Sequence, residues 1–250
     1  MATNRAQGTS RTRAGKANGG GARATRSGLG EWVRSLLLAL VLFLVIRTFI
    51  VEAFRIPTGS MEETLLVGDF LLVNKLIYGV RIPGTEHRIL QLREPAIGDV
   101  IVFRPPHEPG ENYVKRLVGL PGDTLRMQDK VLYRNGQPVD EPYTRHVDPG
   151  HDVAAPVMSW QRSFLVAGGD TGSYRPSRDN WGPIVVPEGS VFALGDNRDD
   201  SEDSRFWGFV DVNEIRGKPL FIYYSFDPNG SRPMPWFTHI RWNRIGSVIR

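Results

Sequence analysis

The stretch from Trp32 to Val51, WVRSLLLALVLFLVIRTFIV, limits the fold more than any other part of the chain. Its twenty residues are broken only by Arg34, Ser35, Arg47 and Thr48, against the roughly 20 that a helix needs to span hydrocarbon. Inside a bilayer every backbone polar group must be satisfied within its own segment, so this stretch is expected as a single transmembrane helix over 32–52. Arg34 and Arg47 stand near its two ends, where long side chains reach the headgroups. A cleaved signal peptide is the competing reading. The uninterrupted core from Leu36 to Ile46 is eleven residues long, and Val51-Glu52-Ala53 loosely fits a small-x-small cut site. Phe49, Ile50 and Val51, which continue the apolar run past Arg47, favour a retained anchor. A buried core helix would not need the basic flank.

Charge gives that anchor a direction. The net charge is +4, but residues 1–34 hold seven cations against Glu31 alone, or +6, which leaves about −2 for residues 35–250. Rich in Gly, Ala, Ser and Thr, the segment 1–31 is expected as a disordered basic tail on the cytoplasmic side, with 53–250 as an extracytoplasmic domain. No recognition-helix or aromatic pattern accompanies the tail, so membrane lipid rather than nucleic acid is its expected neighbour. The chain has no cysteine, which removes disulfides, thiolate metal sites and cysteine nucleophiles.

Beyond the anchor, short apolar runs alternate with Gly and Pro, the pattern of a mainly β domain. Strands are expected over 70–74, 100–103, 113–118, 124–127, 130–134, 163–166, 190–194 and 219–225. Asn135-Gly136 is expected as a hairpin tip, and Met61 to Leu66 as a short helix. From about 125 to 189 the chain is irregular, and a smaller β lobe inserted into the first is expected there.

Two residues carry chemistry. Ser60 lies in Pro57-Thr58-Gly59-Ser60-Met61, nine residues past the apolar segment, and Lys115 lies in the strand Tyr113-Val114-Lys115-Arg116. A hydroxyl on a turn and a lysine on an apolar strand are the parts of a Ser/Lys hydrolase, in which a neutral amine serves as base. Alternation places Tyr113, Lys115 and Leu117 on one strand face and Val114, Arg116 and Val118 on the other. Desolvation among apolar neighbours would have to lower the lysine pKa by ~3 units, at a cost of about 4 kcal/mol. Most such serines only bond the backbone, and most strand lysines reach solvent with the head. The Ser60 amide and the Thr58 hydroxyl could form an oxyanion pocket. The stretch from Gly195 to Gly208 has five carboxylates, yet Arg198, Ser201 and Trp207 occupy positions that break a calcium loop, and an ion-paired supporting loop is expected instead. None of the five histidines lies in a His-Glu-x-x-His arrangement, so no metal is expected.

Together, Pro57 to Met61 with Thr64-Leu65-Leu66 and Gly68-Asp69, Gly98 to Phe103, Tyr113 to Asp123 and Gly195 to Gly208 resemble the motifs of bacterial type I signal peptidases, in the same order. The resemblance implies a membrane-anchored serine endopeptidase with a β-barrel-like catalytic domain, no cofactor, and secreted preproteins as substrates. By the same likeness Ser60 is the nucleophile, Lys115 the general base, Thr58 an oxyanion donor and Ser201 the hydroxyl that orients the amine. Asp196 and Arg116 match a supporting ion pair. Phe54, Ile56, Pro57, Met61, Leu65, Asn112, Tyr113 and Val114 match the walls and edges that bind an extended peptide with small side chains. The chain departs from the best-known members in having one spanning segment and no cysteine pair in the inserted lobe. Two other readings stay open on sequence: a self-cleaving Ser/Lys repressor, and a membrane-tethered β module that keeps the motifs only as scaffold.

Overall fold

The computed structural model describes residues 28–81, 88–150, 152–168 and 171–250, so nearly all of the basic tail lies outside the described residues. The chain divides between Leu42 and Phe43 into two units, of which the second runs over Phe43–Arg250. The helix α1 runs over Gly28–Val45 and ends in a single wide turn, Ile46–Ile50. The segment Gly30–Ile50 is long and apolar enough to cross a membrane, and its leucines and valines are exposed. Val51 already belongs to a strand, so the helical segment closes before the expected Glu52. The reason is local: the Val51 amide donates back to the Ile46 carbonyl, while the Thr48 and Ile50 carbonyls are taken up by the Lys75 ammonium (3.1 Å) and amide (2.9 Å).

Thirteen strands follow among the described residues. They are β1 (Val51–Arg55), β2 (Asp69–Asn74), β3 (Val80–Arg81), β4 (Arg88–Ile89), β5 (Val100–Phe103), β6 (Tyr113–Gly119) and β7 (Thr124–Gln128), then β8 (Val131–Arg134), β9 (Gln137–Pro138), β10 (Trp181–Val185), β11 (Ser190–Leu194), β12 (Val210–Asp211) and β13 (Ile215–Ser225). Seven form one sheet in the order β1-β2-β13-β5-β6-β11-β12, and β10-β7-β8-β9 form a second. The domain is mainly β, as its short apolar runs require.

Strand β5 is buried on both faces, so the large sheet has a core on each side. Val100 and Val102 pack with Ile56, Met61, Leu65 and Leu71 on one face. Ile101 and Phe103 pack with Leu117, Val191 and Ala193 on the other. The second sheet closes over a third cluster that borrows Val118, Phe192 and Leu194 from the large sheet, so its core continues that of the large sheet.

Three local expectations are corrected. Residues 163–166 form no strand: a 3-10 stretch, Pro156–Phe164, ends there, and Leu165 makes only an isolated bridge to Ile184. Proline at its start presets the helical φ, and Gln161 is tied by its amide to the Arg205 carbonyl. Met61 to Leu66 is a cluster of turns, because Glu63 has φ +87° and cannot continue a helix. Strands β1 and β10 were not expected. The expected anchor overlaps the first two residues of β1, and β10 lies in the segment 125–189 that reads as irregular; Gly182-Pro183 inside it accompanies a register shift between Trp181 and Ile184.

Candidate active site

A cleft of about 330 Å³ opens between the chain just after β1 and the start of β6. Phe54, Arg55, Ile56, Pro57, Thr58, Gly59, Ser60 and Met61 line one side, and Glu111, Asn112, Tyr113, Val114 and Lys115 the other, with Asp200 and Glu202 at the rim. Both chain segments end their sheet pairing here. Strand β1 is an edge, and β11 pairs with β6 only at Arg116, Leu117 and Gly119, leaving Tyr113 to Lys115 open on that side.

Lys115 is 3% exposed. Its register partner is Ile101, so it stands on the same sheet face as Ile101 and Leu117, with its Nζ 5.9 Å from the Tyr113 ring centre. Loss of water pushes the amine down to about 8, and the Arg205 charge pushes the same way, while Asp203, Glu202 and Asp196 oppose it. Neither the amine nor the Ser60 hydroxyl makes a hydrogen bond among the described residues; the two meet as linings of one cleft rather than as a bonded pair.

Arg116, the next residue, is equally buried and fully paired. Its Nε and Nη2 bind both oxygens of Asp196 at 2.8 and 2.7 Å, its Nη1 donates to the Gly98 carbonyl at 2.8 Å, and its guanidinium lies 3.8 Å from the Tyr143 ring centre. Thr64, just after the serine turn, donates to the same Asp196 at 2.5 Å. The loop after β11 thereby holds the serine turn and β6 together.

Two further arginines stiffen that loop from inside. Arg198 grips Glu141 with both ends of its fork (2.8 and 2.6 Å) and donates to the Gly195 carbonyl, and Arg205 grips Asp203. Burial, the largest single influence, would raise Asp203, but the Arg205 charge and hydrogen bonds, the Lys115 charge and the Gly195 amide together outweigh it and hold the carboxylate below its usual range. Asp203 accepts the Gly195 amide at 3.0 Å. Gly195 has to be glycine, because a side chain there would collide with the Ser201 hydroxyl and the Ser60 carbonyl. That collision measures how closely Ser201 and Ser60 flank one backbone atom. The Ser201 hydroxyl is buried and has no hydrogen-bond partner.

The structure thus gathers Ser60, Lys115, Thr58, Phe54, Ile56, Pro57, Met61, Asn112, Tyr113 and Val114 around one cleft, and places Ser201, Asp196 and Arg116 behind it. Leu65 is the exception. It does not line the cleft but is fully buried in the core behind Ile56 and Met61. Sequence reasoning missed Glu111 as a lining residue and Glu141 and Tyr143 as supports. Glu111 adjoins a named motif and could have been found by extending it; Glu141 and Tyr143 lie in an irregular segment that carries no such signal.

The model of the family described as "Signal peptidase, peptidase S26" matches residues 29–224. The chain is similar to a signal peptidase I of Pseudomonas aeruginosa, 40% identical over 85% of this chain and 78% of the relative. It is also similar to one of Pseudomonas fluorescens, 38% identical over 88% and 79%, and to one of Buchnera aphidicola, 32% identical over 87% and 82%. The match runs from the apolar helix through every element that lines the cleft and on to β13, so the chain belongs to the signal peptidase family, peptidase S26.

Proposed function

We propose that Ser60 and Lys115 carry the peptidase reaction of this family member, which is a serine endopeptidase that cleaves signal peptides from preproteins. The observation that carries the assignment is a buried amine without a carboxylate partner, poised to be neutral, in the same cleft as an otherwise unbonded serine hydroxyl. Ser60 Oγ attacks the scissile carbonyl as its proton passes to Lys115 Nζ. The C–N bond then breaks, and the amino group of the mature chain leaves with that proton. Water next gives a proton to Lys115 and its oxygen to the acyl carbon, and Ser60 Oγ regains hydrogen. The Ser60 amide and the Thr58 hydroxyl stabilise the oxyanion. Ser201, with no other partner, orients the amine.

The substrate binds as an added strand between the open edges at Arg55 to Pro57 and Asn112 to Val114, where backbone bonds supply affinity. Phe54, Ile56, Met61 and Val114 leave room for small side chains, and bulk is rejected by overpacking. The apolar helix anchors the enzyme in the cytoplasmic membrane, with the basic tail in the cytoplasm and the catalytic domain outside. Secreted preproteins and lipid are its partners.

The test is cleavage of a purified preprotein by the detergent-solubilised full chain. Ser60→Ala and Lys115→Ala should each lose several orders of magnitude in kcat/KM while retaining a native melting transition. Activity retained in either variant would refute the assignment of that residue.

A further inference from the structure

We infer that Asn197 is a positioning residue that sets the direction of the Ser60 amide, the backbone donor of the oxyanion pocket; the inference rests on Ser60 being the nucleophile. Asn197 follows Asp196 in the loop after β11 and is 2% exposed. Its backbone amide donates to the Ser60 carbonyl at 3.1 Å, and its side-chain Nδ2 donates to the Gly59 carbonyl at 3.2 Å. One residue therefore holds two consecutive carbonyls of the nucleophile turn from a distant part of the chain.

The consequence follows from peptide geometry. In a planar trans peptide the C=O and the following N–H point in opposite directions. Fixing the Gly59 carbonyl therefore fixes the Ser60 N–H, which must point away from Asn197. The Gly59 carbonyl also accepts the Glu62 amide at 3.0 Å, so it has two donors and little freedom to rotate. Gly59 is the flexible member of the turn, and Thr58 and Pro57 before it are exposed. Without the Nδ2 bond, only the local turn contact would restrain this peptide plane.

A second observation separates Asn197 from ordinary loop packing. Its Oδ1 is buried without a hydrogen-bond partner, so the side chain retains an unsatisfied acceptor in order to place its donor at Gly59. Asp196, its neighbour, anchors Arg116 and Thr64, and its carbonyl accepts the Arg145 amide at 2.8 Å. The Asn197 backbone is thus rigidly mounted, as a positioning residue must be.

The experiment measures kcat and KM for preprotein cleavage by the full chain with Asn197→Ala and Asn197→Asp, normalised to the folded fraction from near-ultraviolet circular dichroism. Ser60→Ala is run in parallel. Both Asn197 variants should lose about 10- to 100-fold in kcat with little change in KM, because only the transition state uses the donor. A peptide aldehyde, whose carbonyl carbon bonds to Ser60 Oγ while the serine proton passes to Lys115, should bind more weakly by a similar factor. The matching peptide alcohol, which has no oxyanion, should bind unchanged. An unaltered kcat, a loss in KM alone, or equal weakening of aldehyde and alcohol would overturn the inference while an inactive Ser60→Ala left the nucleophile standing. Activity surviving in Ser60→Ala would instead overturn the nucleophile on which the inference rests.

Discussion

Lys115 and Arg116 are adjacent on β6, both are cations, and both are at least 97% buried, yet they have opposite fates. Arg116 points toward Asp196 and is neutralised there in a two-point bond. Lys115 stands on the opposite face and lines the cleft, with the Tyr113 ring near its Nζ and no ion-paired carboxylate among the described residues. The difference is set by strand alternation and by residue type. A guanidinium stays charged and must be paired when buried, whereas an amine can lose its proton. Burial with a partner makes a brace, and burial without one makes a base.

The strongest way to break this contrast is to give the cleft a cation that cannot deprotonate. Lys115→Arg should lower kcat/KM by about 10⁴-fold or more, although charge and approximate length are kept. Preprotein cleavage assays measure it, and an active arginine variant would show that charge rather than basicity is what the cleft needs.

Next in size is the removal of the brace. Arg116→Met leaves Asp196 buried with only Thr64 bonded to it and should destabilise the domain by about 3–5 kcal/mol in urea unfolding. Replacing Asp196 by Leu in the same chain should recover most of that loss, because an apolar pair has no stranded charge.

The opposite sign is expected at Lys115. The folded lysine releases its proton near pH 8 and the unfolded one near 10.5, so unfolding takes up a proton between those values and stability rises with pH across that window. Below pH 8 the full cost of burying the charge is present. Lys115→Met should therefore stabilise the domain at pH 7 by up to about 3 kcal/mol, with the gain shrinking toward pH 10.5. Melting curves of both proteins at several pH values measure it.

The smallest effect marks the limit of the ion-pair argument. Arg145 and Glu62 form a 2.5 Å pair beside the serine turn, but their side chains are 40% and 31% exposed. Arg145→Ala should cost less than about 1 kcal/mol, measured by urea unfolding, since its backbone bonds to the loop remain.

How much of this was legible depends on the range of the signal. Strands such as β5 and β6, and the hairpin tip at Asn135-Gly136, could be read because short apolar runs bounded by Gly and Pro, and turn chemistry, are local signals. The faces of Lys115 and Arg116 were legible for the same reason. Leu65 was assigned to the cleft wall by resemblance to the family motif alone, whereas Glu63 turns the chain and Leu65 is buried in the core. Asn197, Glu141 and Tyr143 were not legible, because their roles are contacts across 138, 57 and 27 residues of chain, with Gly59, Arg198 and Arg116, and no local pattern encodes such pairings.

The central claim is that Lys115 is held ready to be neutral. Its ε-carbon can be labelled and followed by NMR through a pH titration of the Ser60→Ala full chain. A midpoint near 8 is the predicted result, and a midpoint near the ordinary 10.5 would contradict it.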